Sequence, residues 1–146
     1  MNTLLLIAHA PLASALRSAA LHVFPDAGAA VQALDVQADD APEDSLARAQ
    51  AVLATFPRGQ CVLVLTDVLG ATPCNVARRL MEGAGDSARV RLLAGVNLPL
   101  LLRALSYRHE PLEAMLLKAQ TGGIQGIVTV PVAAPAPSQP DLTSIE

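Results

Sequence analysis

Two uninterrupted apolar runs, Thr3–Leu4–Leu5–Leu6–Ile7–Ala8 and Cys61–Val62–Leu63–Val64–Leu65–Thr66, constrain the fold more than anything else in the sequence. Short runs without polar alternation suit strands covered on both faces, as in a parallel sheet. Each run ends in a residue capable of chemistry, His9 after the first and Asp67 after the second. Val31 to Val36 predicts a weaker strand, Arg89 to Ala94 a further one, and Ile124–Val130 a last one behind Gly122-Gly123.

Helical patterns fill the gaps between these strands. After Pro11, which suits the first turn of a helix, Leu12, Leu16, Ala19, Ala20 and Val23 recur at helical spacing and stop before Pro25. Asp39, Asp40, Glu43 and Asp44 crowd the next helix start, where negative charge is favoured against the helix dipole. Thr72 followed by Pro73 reads as a capping hydroxyl with proline in the first position, opening a helix that runs to Gly83. Leu98 to Leu105 and Leu112 to Ala119 predict two more helices, broken near His109 and Pro111.

Strands alternating with helices predict an α/β domain with a mainly parallel sheet flanked by helices. In such folds ligands bind beyond the carboxyl ends of the strands, where the strand order reverses. His9 and Asp67 fall at that edge. The domain is expected to span residues 1–130, and residues 131–146, with four prolines, to form a disordered tail.

Composition narrows the function. Hydrophobic residues make up 52% of the 146-residue chain and charged residues 16%, so some apolar surface is expected to be buried against another chain. A net charge of -3, no Lys/Arg cluster and only two Phe and one Tyr argue against nucleic-acid binding. Cys61 and Cys74 have neither metal-site spacing nor a disulfide framework, and read as reduced thiols. Residues 1–16 carry no charge, but the first basic residue is Arg17 and Pro11 interrupts the run. That pattern fits neither a signal peptide nor a membrane helix, so a cytoplasmic protein without membrane insertion is expected.

Among the three histidines, His22 falls late in a helix and His109 in a polar break, whereas His9 sits between the small residues Ala8 and Ala10. Alone, His9 could simply close its strand, and Asp67 could begin an Asx turn toward Gly70. Together, a carboxylate at an equivalent strand end can fix the imidazole tautomer and leave the other ring nitrogen as a nucleophile. Thr72 and the amides at its helix start would favour an anion. Neither a Walker loop nor a G-x-G-x-x-G or G-x-S-x-G motif is present, so no nucleotide, metal or other cofactor is expected.

Three segments then fall into a known pattern. Leu4–Leu5–Leu6–Ile7–Ala8–His9–Ala10 resembles the first strand and phosphorylated histidine of mannose-family IIA proteins of the bacterial sugar phosphotransferase system (PTS). Asp67–Val68–Leu69–Gly70–Ala71–Thr72–Pro73–Cys74–Asn75 resembles that family's D-x-x-G-[GA]-[ST]-P-x-N segment, and Ala94–Gly95–Val96–Asn97–Leu98–Pro99–Leu100 its A-G-V-N-[IL]-P-[ML] segment. The phosphotransfer subunit of dihydroxyacetone kinase has a similar fold, but the V-N-L-P segment favours the mannose type.

The resemblance implies a four-stranded parallel sheet with a fifth, C-terminal strand exchanged in a homodimer. It implies a phosphotransferase activity: a phosphoryl group received from phospho-HPr on His9, with Asp67 orienting the ring, and passed to a IIB protein for sugar uptake or regulation. Gly70, Ala71 and Thr72 would hold the phosphoryl oxygens, while Asn97 and Ala10 would shape the pocket. The alternative is a regulatory binding protein whose choice of partner is switched by His9 phosphorylation. Ala8, Val68, Leu69, Ala71 and Cys74 replace residues that are often polar, aromatic or Gly in sugar-transporting members.

Overall fold

The first strand has no polar face to give to water, and the chain accordingly builds both of its layers around it. In a computed structural model, which describes residues 1–85 and 89–133, β1 (Thr3–His9) is buried from Thr3 through Ala8 and emerges only at His9. Its odd and even residues feed different cores. Leu4, Leu6 and Ala8 pack under α1 (Leu12–Val23), α4 (Leu98–Ser106) and α5 (Leu112–Gln125). Leu5 and Ile7 pack under α2 (Pro42–Thr55) and α3 (Thr72–Gly83).

β2 (Val31–Val36), β3 (Val62–Thr66) and β4 (Val90–Ala94) complete a four-stranded sheet in the order β2-β1-β3-β4. Every pairing is parallel. The chain leaves β1 toward β2 on one side, then crosses to β3 on the other. The strand order therefore reverses between β1 and β3, which opens a crevice beyond their carboxyl ends.

The C-terminal part departs from the sequence-based expectation. Gly122-Gly123 does not break the helix: α5 runs through it to Gln125, and the Gly126 amide still donates to the Gly122 carbonyl at 2.9 Å. Both glycines are buried because α4 lies against them. A Cβ on Gly122 would stand 2.8 Å from the Arg103 Cβ, and one on Gly123 would stand 3.0 Å from the Leu100 Cβ. Close helix packing thus outweighs the roughly 1 kcal/mol helix penalty of each glycine. As a result Ile124–Val130 is not a strand of this sheet. Ile124 and Gln125 close α5, and residues 127–133 carry exposed apolar side chains without strand pairing. Of the expected tail, residues 134–146 lie outside the described residues.

A second correction concerns Thr72. The N-cap of α3 is Ala71, with Thr72 and Pro73 as the first two helical residues, and no side chain caps the helix. The threonine falls one position too late to cap.

Candidate functional site

The crevice at the strand reversal brings His9 and Asp67 into contact. His9 ends β1, and Asp67 follows directly on β3. The His9 Nδ1 and Asp67 Oδ2 lie 2.7 Å apart, and the same oxygen accepts the His9 backbone N–H at 3.1 Å. The other carboxylate oxygen accepts the Val68 N–H at 3.0 Å. One carboxylate thus holds the ring and the main chain of His9 together, which fixes its rotamer.

Burial alone would push the Asp67 carboxyl up. The hydrogen bonds and charge of His9, with the Val68 amide, outweigh that and hold the group below its ordinary value of 3.8. An ionised carboxylate only accepts hydrogen bonds, so Nδ1 carries a proton, and in the neutral ring the lone pair is then on Nε2. The Asp67 side chain is 7% exposed and that of His9 52%. The carboxylate is shielded, while the imidazole faces solvent.

Three helices begin around this crevice, and they are not equivalent. At α1 the Ser14 amide donates to the Asp35 Oδ1 at 3.0 Å, and the Ser14 hydroxyl bonds the other oxygen of that carboxylate, which reaches over from β2. At α4 the Asn97 Oδ1 accepts the Leu100 amide at 2.9 Å, while its Nδ2 donates to the Gly123 carbonyl at 3.1 Å. Of these three, only α3, which follows the Asp67 loop, has no side chain accepting a first-turn amide among the described residues. Gly70 turns the chain into it at φ +83°, where no side chain is easily accommodated. The first amides of α3 therefore lack intrahelical partners and aim their dipole at the crevice. Thr72 is exposed there, and its hydroxyl has no hydrogen bond among the described residues.

The residues expected at the site thus divide. His9, Asp67, Gly70, Ala71 and Thr72 converge on one edge, and Ala10 lies half-buried beside His9. Asn97 caps α4, which begins at the same edge, and ties it to α5. Asp35 was not legible as a site neighbour, because its role depends on pairing β2 beside β1. His22, at the end of α1, and His109, beyond α4, lie away from the crevice. No group of His, Cys, Asp or Glu among the described residues forms a metal site. Nor is any described helix long and apolar enough to cross a membrane.

Comparison with known proteins extends this picture. A family model described as "PTS system fructose IIA component" matches residues 3–120. The mannose-specific EIIAB component of Escherichia coli (strain K12) is 33% identical over 103 residues, 66% of this chain and 31% of that protein. The fructose-specific EIIA component of Bacillus subtilis (strain 168) is 40% identical over 72 residues, 47% of each chain. This chain therefore spans about a third of the first relative and about half of the second. Among solved structures, the phosphotransferase system component EIIA from Streptococcus agalactiae aligns with a TM-score of 0.75 and 28% identity, covering 88% of this chain and 97% of that one. The mannose/sorbose-specific IIA subunit from Enterococcus faecalis aligns at 0.80 with 23% identity, covering 91% and 97%, and so shares the fold.

Proposed function

The chain belongs to the PTS fructose/mannose IIA family, and on that premise we propose that it is a phosphocarrier whose nucleophile is the Nε2 of His9. The observation that carries this reading is the 2.7 Å contact between His9 Nδ1 and an ionised, shielded Asp67, which leaves the exposed ring nitrogen with its lone pair. In the forward step that lone pair attacks the phosphorus of phospho-HPr. A new N–P bond forms as the donor's bond to phosphorus breaks, and the donor nitrogen keeps its electron pair. Because Nδ1 retains its proton, the phosphorylated ring is cationic, and the Asp67 carboxylate balances that charge. The open start of α3, with the amides of Gly70, Ala71 and Thr72 and the Thr72 hydroxyl, receives the equatorial oxygens during in-line transfer. The reverse polarity of the same step delivers the group to a IIB protein, for sugar uptake.

The same reading includes a homodimer. Ile127, Val128, Val130 and Val132 are 68–92% exposed, more apolar surface than a free chain end ordinarily shows water. β4 is an edge strand whose Leu93 and Ala94 border an open groove with Asn97, Ile124 and Ile127. The segment after α5 would add to that edge in a second copy.

The deciding measurement is intact mass after incubation with phosphoenolpyruvate, enzyme I and HPr. The wild type is expected to gain one acid-labile, base-stable phosphoryl group and His9→Ala none. Equal phosphorylation of both chains, or of neither while HPr is demonstrably phosphorylated, would overturn the reading.

A further inference from the structure

The amino end of the sheet carries a hollow of its own, far from His9. α2 and α3 cover the same face of the sheet, and between their last turns lies a cavity of about 390 Å³. Val62 and Val90, the first residues of β3 and β4, form its floor, and Leu53 and Phe56 stand on the α2 side. Ala54, Gly83 and Ala84 have too little side chain to close the gap. The hollow therefore continues into a smaller one of about 200 Å³ along the two helices. At about 3.3 Å per residue, Val62 stands roughly 17 Å from Asp67, so this cavity is separate from the crevice.

Its rim is cationic. Arg58, on the turn between α2 and β3, is exposed and makes no hydrogen bond or ion pair among the described residues. Gly59 holds that turn at φ +84°, and a Cβ on it would stand 3.5 Å from the Arg89 Nη1. The two guanidinium groups thus border one opening, and no carboxylate among the described residues lines either hollow. The helix ends pull the other way. Each carries roughly half an elementary negative charge, about one in all, against two full positive charges on the arginines. The balance favours an anion, provided that a guanidinium group reaches it.

A compact inorganic ion would use only the rim. Half-buried Leu53 and Phe56, over buried Val62 and Val90, offer nothing to such an ion and instead suit an apolar body. Apolar walls with a few polar groups, enclosing roughly 300–1,000 Å³, are the common form of a small-molecule site. We propose that this hollow binds a small organic carboxylate, its apolar body against Leu53, Phe56 and Val90 and its carboxylate on the planar fork of Arg58. The site stands apart from the phosphocarrier reading and does not depend on it.

Hexanoate is the probe, with acetate supplying the charge without the body and 1-hexanol the body without the charge. In ¹⁵N–¹H NMR spectra of the full chain, hexanoate should shift the amides of Arg58, Gly59 and Val90 and saturate with a Kd on the order of 1 mM. Neither acetate nor hexanol should saturate over the same range. Arg58→Gln, on an exposed turn, should weaken hexanoate binding about tenfold. Ala84→Leu, which fills the gap between the helices, should abolish the shifts while circular dichroism stays that of the wild type. If Ala84→Leu does not fold, the Arg58→Gln comparison decides alone. Four results would each overturn the proposal: no saturation by hexanoate, equal binding by wild type and Arg58→Gln, shifts confined to residues away from the hollow, or hexanol saturating as readily as hexanoate.

Discussion

Asp67→Asn is the substitution that most sharply tests how the site is wired. Every contact the carboxylate makes is with a donor: the Val68 amide on one oxygen, and the His9 amide and Nδ1 on the other. An asparagine has one acceptor oxygen and one donor nitrogen, so no orientation satisfies all three. If its NH₂ faces Val68, two donors meet and that contact is lost. If it faces His9, the backbone contact is lost, and the amide donates to Nδ1 and so moves the ring proton to Nε2. The exposed nitrogen then has no lone pair to offer. A hydrogen bond to a charged group contributes about 1.5–3 kcal/mol, which corresponds to roughly ten- to hundredfold in rate. His9 is half-exposed, which places the expectation nearer the lower figure. Phosphoryl uptake from phosphoramidate, followed by intact mass, should slow by that factor, and ¹⁵N NMR of the imidazole should show less of the Nδ1–H form. Uptake within about twofold of wild type with the ring still protonated at Nδ1 would refute the reasoning. The pH dependence has a definite sign. Because the folded-state pKa of Asp67 lies below 3.8, its ionised form favours folding. That contribution is fully present above pH 3.8 and is lost as pH falls through the lower folded value. The difference in Tm between wild type and Asp67→Asn should therefore shrink as pH is lowered from about 5 toward 3.

Two further outcomes follow, one from the α4–α5 packing and one from the proposed pairing of the segment after α5. Gly122→Ala places a methyl group 2.8 Å from the Arg103 Cβ, so the helices must separate; a loss of about 1–3 kcal/mol in denaturant unfolding is expected, and an unchanged midpoint would contradict the close approach. Truncation after Gly126 keeps all of α5 but removes Ile127 onward, so it should leave helical circular dichroism intact while converting the proposed dimer to monomer in sedimentation; a dimer that survives truncation would rule out pairing through that segment.

What the sequence made legible follows from where the forces are local. The buried strands and the edge they share were readable because an apolar run without alternation has few places to go. His9 and Asp67 were readable as a pair because two such runs in one parallel sheet must end on the same side. The last strand misled because Gly122-Gly123 and Ile124–Val130 carry strand-like local signals. The deciding contact, α4 lying within reach of those glycines, joins residues about 20 apart and leaves no periodic trace. Asp35 was invisible for the same kind of reason, since its partner Ser14 becomes a neighbour only when β2 pairs with β1.

The capping pattern bears on which helix start the proposed phosphoryl transfer would use. Ala71–Thr72–Pro73 and Asn97–Leu98–Pro99 occupy the same positions, a cap followed by two first-turn residues ending in proline. At α4 the cap is an asparagine, whose oxygen takes the amide that an anion would need. At α1 the Asp35 carboxylate does the same and adds a negative charge. At α3 the cap is an alanine, which has no oxygen to offer. Replacing the cap side chain with a methyl group costs that helix about 1 kcal/mol of local stability, and it leaves the amides beside His9 free for a ligand. The missing cap at Ala71 matters only together with the Asp67 contact: the proposed phosphoryl transfer needs free amides and an oriented imidazole at the same strand ends.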